Sequence, residues 1–348
     1  MARTIRIGVA RVRYGPRSMP LGFGFIGAGF AGGTHARALA SVPGARRVAI
    51  TADPLEHARP VAEECGMRLE PSVESLCSAG DIDVVVVASP TDLHAEHAVT
   101  AARAGKHVFC EKPLARTLEQ AGAIVAACEK AGVKVAVGHV VRAFPEYVRV
   151  KEALAAGELG RPGLATLTRG SFSVAMARPW YQDPLRSGGV ILDLMLHDLD
   201  VLRWWFGEPE RVYGKRLTGR AGVLDYALAT LRWPDGPIAH LEASWAEHDG
   251  FRTAFEVRGE RGMLTHDSRS SAPVSTQVPG GPAGPAMIPL TTLHDTPYAR
   301  QMRDLVARLE RGEDPVVPGR EGLRSLALAL AVMDAADSGE VVRWSPPA

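Results

Sequence analysis

The residues best placed to do chemistry lie in one apolar stretch, Val190–Phe206, where Asp193, His197 and Asp200 interrupt VILDLMLHDLDVLRWWF. At positions i, i+4 and i+7 of a helix they form one polar stripe within an arc of about 60°. The remaining residues are apolar nearly all round, which predicts a buried helix. Burying such polar groups is costly unless they are paired with each other, with water or with a ligand. In α-helical geometry Asp193 and His197 stand about 5–6 Å apart at Cβ. A carboxylate beside an imidazole fixes its tautomer and raises its pKa, which suits a general base. A satisfied structural His–Asp pair fits the same spacing. No further His, Cys or Asp spacing completes a metal-ligand set around them.

A second candidate is Lys112, in Cys110-Glu111-Lys112-Pro113 at the end of the strand-like run His107–Cys110. Proline after lysine bars helical geometry at Lys112 and stiffens the chain. That aims an ammonium group at the crevice beyond the strand ends, where it can polarise a carbonyl or hold an alcohol oxygen as its proton leaves. Glu111 can bind the lysine or a cofactor, and a surface ion pair fits the dipeptide as well. Arg178, Trp180 and Tyr181 precede the helix on a loop whose aromatic faces and polar tips suit sugar hydroxyls and CH faces. His139 closes another strand-like run and is a comparable substrate contact. Core packing of Trp180 and a structural role for His139 are the alternatives.

These groups need elements to hold them. The first 140 residues alternate strand-like and helical runs: Phe23–Ile26, a helix Ala31–Ala40, Arg47–Thr51, a helix Pro54–Cys65, the buried VVVVA strand Val84–Ala88, a helix Leu93–Ala104, His107–Cys110, a helix Leu118–Ala131 and Lys134–Gly138. Such alternation predicts a doubly wound parallel sheet. Its first turn reads Gly27-Ala28-Gly29-Phe30-Ala31-Gly32. Glycines there permit a tight turn, approach of a pyrophosphate to backbone N–H groups, and close helix–strand packing. Asp53 ends the second strand, where a carboxylate accepts hydrogen bonds from an adenosine ribose and repels a 2′-phosphate, so NAD is expected over NADP. Ser89, Pro90, Thr91 and His94 follow the VVVVA strand. The segment's backbone and hydroxyl groups can meet the ribose and nicotinamide side of the cofactor, while Thr91 or Asp92 can equally cap the next helix.

From residue 144 the pattern changes. Residues 164–174, 211–218, 225–233, 237–248 and 252–258 alternate or are rich in β-branched and aromatic residues, which predicts a large, open, mostly antiparallel sheet in an α+β domain. Helices are expected at Val190–Phe206, Pro297–Arg311 and Gly322–Asp337, and a Ser/Pro/Gly-rich surface loop at 268–288. The division is a dinucleotide-binding domain over 19–143, a substrate domain over 144–348, and an extension over 1–18 that is either mobile or an artefact of start-codon choice.

A net charge of +1 over 348 residues gives no reason to expect nucleic acid or an acidic membrane surface as partner. No apolar run reaches the roughly 18 residues of a membrane span. Cys65, Cys77, Cys110 and Cys128 form no C-x-x-C pair, and four thiols used as small hydrophobes fit a reducing cytoplasm.

The stretches FGFIGAGFAGGTHARAL, ASPTDLHAEHAVTAARAGKHVFCEKPLA and GGVILDLMLHDLDVLRWWFG together resemble the Gfo/Idh/MocA oxidoreductases, over about residues 21–345. The resemblance implies an NAD(P)-dependent dehydrogenase acting on a secondary alcohol of a sugar, inositol or other polyol. It implies Lys112, Asp193 and His197 as catalytic trio, and Gly27, Gly29, Gly32, Asp53, Ser89, Pro90, His94 and Glu111 as cofactor neighbours. It also implies a homodimer or homotetramer built through the second sheet. A nucleotide-bound sensor without catalysis, and a sugar–sugar oxidoreductase with tightly held cofactor, are further readings within the same fold. Val141 stands where several inositol- and sugar-acting members carry a polar or basic residue.

Overall fold

The computed structural model describes residues 19–171, 179–218, 225–247, 250–269 and 295–347. Strands β1 (Leu21–Ile26), β2 (Ala45–Thr51), β3 (Arg68–Leu69), β4 (Val84–Val87), β5 (His107–Cys110) and β6 (Val135–Val137) form a parallel sheet in the order β3-β2-β1-β4-β5-β6. Both faces are covered by helices, so β4 is four valines of which none is exposed. The chain leaves β1 toward β2 and returns to β4 on the other side. The strand-end crevice at that reversal is where open α/β sheets bind ligands. Helix Leu118–Ala131 shows the local logic: the Thr117 hydroxyl accepts the Gln120 N–H at its start, and Gly132 closes it in the left-handed region.

The second sheet holds β7 (Pro162–Gly170), β8 (Arg211–Thr218), β9 (Asp225–Arg232), β10 (Ile238–Ser244), β11 (Arg252–Gly259), β12 (Gly262–Asp267) and β13 (Val342–Arg343), in the order β12-β11-β7-β10-β9-β8-β13. Only β7 and β10 run parallel; every other neighbouring pair is antiparallel. Alternation sets its faces, with Ala227, Ala229 and Leu231 of β9 turned inward and Leu228 outward. The inner face belongs to a core shared with Leu192, Met195 and Leu199 of the expected buried helix and with Leu328 and Val332 of the helix Gly319–Ser338.

Several elements differ from the sequence reading. Helices Val73–Ser78 and Pro145–Ala155 were not anticipated. The buried helix opens with a π turn, Ile191–Met195, before its α-helical part, Leu196–Phe206. Helix Pro297–Arg311 follows the second sheet in sequence but packs on the first: Met302, Leu305, Val306 and Leu309 share a core with Phe23, Phe25 and Val86. This helix thus belongs to the second half in sequence and to the first sheet in packing. Residues 1–18 and most of the Ser/Pro/Gly-rich stretch lie outside the described residues.

Candidate active site at the domain seam

The glycine turn leaves β1 at Gly27, whose φ is +101°, a backbone region that side chains disfavour. A Cβ there would lie 2.4 Å from the Ala88 carbonyl oxygen, and one on Gly32 would lie 2.0 Å from that of Gly27. Helix Phe30–Ala38 begins at Gly29 with no side-chain cap and no acidic residue in its first turn, so its leading N–H groups are free to face an anion. Gly27 N–H donates to Thr51 O at 2.8 Å, which ties the turn, Ala28 included, to the end of β2. Asp53 is exposed just beyond. The cradle thus fits a dinucleotide: room and donors for a pyrophosphate, then a carboxylate for a ribose. Replacing Asp53 by serine is expected to narrow the preference for NAD over NADP, with most of the change in the KM for NADP. An unchanged ratio of kcat/KM for the two cofactors would remove Asp53 from this role.

Beyond β4, the Ser89 hydroxyl pairs with His97 Nδ1 at 2.9 Å, and Thr91 is buried at the start of a short helical turn that follows Pro90. The reading of Thr91 or Asp92 as a cap is not what is found, since Pro90 occupies the cap position and the Asp92 carboxylate takes Arg186 at 2.8 Å. His94 is 2% exposed, with Nδ1 2.8 Å from Pro113 O and Nε2 3.0 Å from Ser89 O. Its imidazole lies between these two carbonyls, donating its single N–H to one of them, and so bridges the two strand-end loops.

Lys112 leaves β5 and crosses to the other half of the molecule. Its Nζ donates to the main-chain oxygen of Asp193 at 2.6 Å and to Asp193 Oδ1 at 3.1 Å. Asp193 Oδ2 accepts the indole N–H of Trp245 at 3.1 Å. The expected Asp193–His197 pair is therefore replaced. Asp193 sits in the π turn, whose i→i+5 hydrogen bonding departs from the α-helical register that would stack i over i+4. Both of its carboxylate oxygens are taken by Lys112 and Trp245. His197 Nδ1 is buried and makes no hydrogen bond among the described residues. Burial, followed by the charges of Lys112 and Arg169 and by His139, pushes the His197 imidazole well below the usual histidine range. That is opposite in sign to the rise expected from a carboxylate partner. At neutral pH the group is an unprotonated acceptor.

Asp200, the third member of the stripe, is a structural anchor. It receives Arg142 through two hydrogen bonds of 2.8 and 2.7 Å and the Ser325 hydroxyl at 2.7 Å. Burial alone would raise this carboxyl, but Arg142, His139 and Ser325 hold it at about 2. Next to it, Asp198 binds Arg169 through bonds of 2.9 and 2.7 Å, and Arg169 reaches the Tyr147 hydroxyl at 3.1 Å. These buried ion pairs fix the helix that carries His197. His139 is 1% exposed and lies 3.6 Å from Asp200; burial lowers it to about 4 against the pull of Asp200.

Trp180 and Tyr181 lie with ring centroids 4.0 Å apart and planes tilted by 34°, and Tyr181 meets Trp245 edge-on at 6.1 Å. An aromatic wall therefore runs from the loop to the Asp193–Lys112 pair. Arg178 lies outside the described residues. Trp245 was missed in the sequence because a single tryptophan at a strand end has no spacing signal; its indole N–H found a partner 52 residues away.

A family profile described as "Oxidoreductase family, NAD-binding Rossmann fold" matches residues 21–139, and one described as "GFO/IDH/MocA C-terminal domain" matches residues 147–265. The chain is 34% identical to a 1,5-anhydro-D-fructose reductase of Ensifer adhaerens, over 77% of this chain and 82% of that protein. It is 30% identical to an inositol 2-dehydrogenase of Rhizobium meliloti (strain 1021), over 90% and 96%. A solved structure described as a putative myo-inositol dehydrogenase from Sinorhizobium meliloti 1021 superposes with a TM-score of 0.81 at 29% identity, covering 93% of this chain and all (100%) of that one. On these matches and on the two-sheet architecture, the chain belongs to the Gfo/Idh/MocA family of oxidoreductases, with an NAD-binding Rossmann domain followed by that family's C-terminal domain.

Proposed function

We propose that this protein oxidises a secondary alcohol of a sugar, inositol or related polyol, with Lys112 and His197 as the groups that handle the hydroxyl. The observation that carries the reading is a convergence. An ammonium from the dinucleotide-binding half reaches the helix that bears His197, whose buried Nδ1 makes no hydrogen bond among the described residues. The relatives named for 1,5-anhydro-D-fructose and for inositol support the substrate class.

When bound, the dinucleotide supplies the hydride acceptor. Backbone N–H groups of Gly27–Gly32 would hold its pyrophosphate, Asp53 its adenosine ribose, and the Ser89–Thr91 loop its nicotinamide side, while Glu111, whose two oxygens are engaged by His35 and the Lys112 N–H, stands behind that loop without holding the cofactor. His197 takes the hydroxyl proton. Lys112 holds the alcohol oxygen as negative charge grows on it, the stage at which a preorganised cation stabilises most. Asp193 aims the ammonium, and Trp245 keeps Asp193 from turning away. Trp180 and Tyr181 cover the CH face of the ring, while His139, buried beside Asp200, backs the site from within the protein.

Purified protein incubated with NAD and a panel of inositols, aldoses and sugar acids should form NADH with at least one of them. No NADH absorbance across the panel, in either direction of reaction, would contradict the substrate class. Self-association through the outer face of the second sheet, where Leu228 and Ile238 are exposed, belongs to the same reading. A monomer by light scattering would contradict it.

A further inference from the structure

His35 belongs to the helix whose N-terminus forms the anion cradle, yet it points away from that cradle into the protein. It has no exposed surface, and its ring lies edge-on to Phe109 at 4.8 Å and to Tyr298 at 5.3 Å. Its Nε2 is 2.5 Å from Glu111 Oε1, while Nδ1 is buried and has no hydrogen-bond partner among the described residues. A carboxylate oxygen accepts, so Nε2 is the donor of this bond. The second oxygen of Glu111 accepts the backbone N–H of Lys112 at 3.1 Å. Gly138 lets the carboxylate sit against the end of β6: a Cβ there would be 2.8 Å from Glu111 Oε1. Glu111 is thus fixed from three sides, and the residue it fixes in turn is Lys112.

We infer that His35 is a positioning residue, which joins the dinucleotide-binding helix through Glu111 to Lys112, so that a filled cradle and a correctly aimed ammonium are one mechanical unit. The inference rests on the reading of Lys112 as a catalytic residue. A purely structural pair would contribute to folding alone. The linked pair does more: when the helix N-terminus is held by the dinucleotide, the Glu111–Lys112 segment is held too. Misplacement of a reacting group by about 1 Å is enough to cost roughly 10²-fold in rate.

The test uses hydrogen–deuterium exchange of the full chain with and without NADH. In the wild type, NADH should slow exchange both in the helix Phe30–Ala38 and in the segment Cys110–Ala115. In His35→Leu the protection of the helix should persist while that of Cys110–Ala115 is lost. His35→Gln, which keeps an N–H donor, should restore it. With NAD and the fastest polyol of the panel, His35→Leu should lose about 10²-fold in kcat, with the dissociation constant of NADH within about threefold of wild type by fluorescence. Equal protection of Cys110–Ala115 in His35→Leu and wild type would overturn the inference, as would a glutamine variant no better than leucine. Glu111→Leu breaks the same link from the other end and replaces His35→Leu if that variant does not fold; failure of both to fold would assign the pair to folding and also overturn it. Lys112→Ala is measured alongside. If it stays active the catalytic reading fails; if it is inactive while His35→Leu behaves as wild type, only the present inference fails.

Discussion

Lys112→Ala should lower kcat by about 10²–10³-fold, the usual cost of deleting a group that stabilises charge on a reacting oxygen, while NADH binds within a few-fold of wild type. The ammonium is held by the main-chain oxygen and carboxylate of Asp193, with both side chains only 14% exposed. It is therefore preorganised in a place where water screens it little. Arginine should not rescue it: a planar fork cannot replace a point charge that reaches one carbonyl and one carboxylate in this geometry. Asp193→Asn should fall in the same direction by a smaller factor, because the amide keeps contact with the lysine but removes the charge that opposes it. Stopped-flow rates of NADH formation, with NADH affinity measured separately, decide the matter. A Lys112→Ala enzyme with normal kcat would end the assignment.

His197→Ala should lose about 10²–10⁴-fold in turnover, the range for a positioned general base, and should also lose the acidic limb of the pH profile. The sign of that limb follows from the environment. Burial and the neighbouring charges of Lys112 and Arg169, together with His139, disfavour the protonated imidazole and lower its pKa well below 6.5. The unprotonated form is the competent base, so kcat/KM should stay flat through neutrality and fall only on the acid side of the ordinary histidine range. Removing the lysine charge relaxes one of those pressures. In Lys112→Met the His197 ring should titrate at higher pH than in wild type, a shift that NMR of ring-labelled histidine can follow even if the variant is inactive. A limb at or above 6.5 in the wild type, or a ring whose titration ignores Lys112, would contradict the account.

Much of this architecture can be read in the residues themselves, for reasons that are local. VVVV in β4, the glycine turn before Phe30 and the caps at Thr117 and Gly132 specify their own conformations, because periodicity, φ requirements and capping act within a few residues. The apolar run Val190–Phe206 announced a buried helix for the same reason. What spacing could not supply was choice of partner. On a regular helix Asp193, His197 and Asp200 share a stripe, so each looked like a neighbour of the next. The fold instead gave Asp193 to Lys112 and Trp245, Asp200 to Arg142 and Ser325, and left His197 Nδ1 without a hydrogen bond among the described residues. Each of those partners comes from a different element, and a local π turn shifted the register on which the stripe was drawn. Helix Pro297–Arg311 teaches the same lesson at larger scale. Its amphipathic pattern predicts a helix, but nothing in it says that its apolar face returns to the first sheet.

The central claim is that one substrate oxygen sits between Lys112 and His197. A crystal structure of the ternary complex with NADH and the polyol that the screen selects tests it most directly. The account predicts a single hydroxyl oxygen within hydrogen-bond reach, about 2.6–3.2 Å, of both the Lys112 ammonium and a His197 ring nitrogen, with its carbon facing the nicotinamide. A bound polyol whose reacting hydroxyl meets neither group, or meets Lys112 while packed side chains separate it from His197, would contradict it.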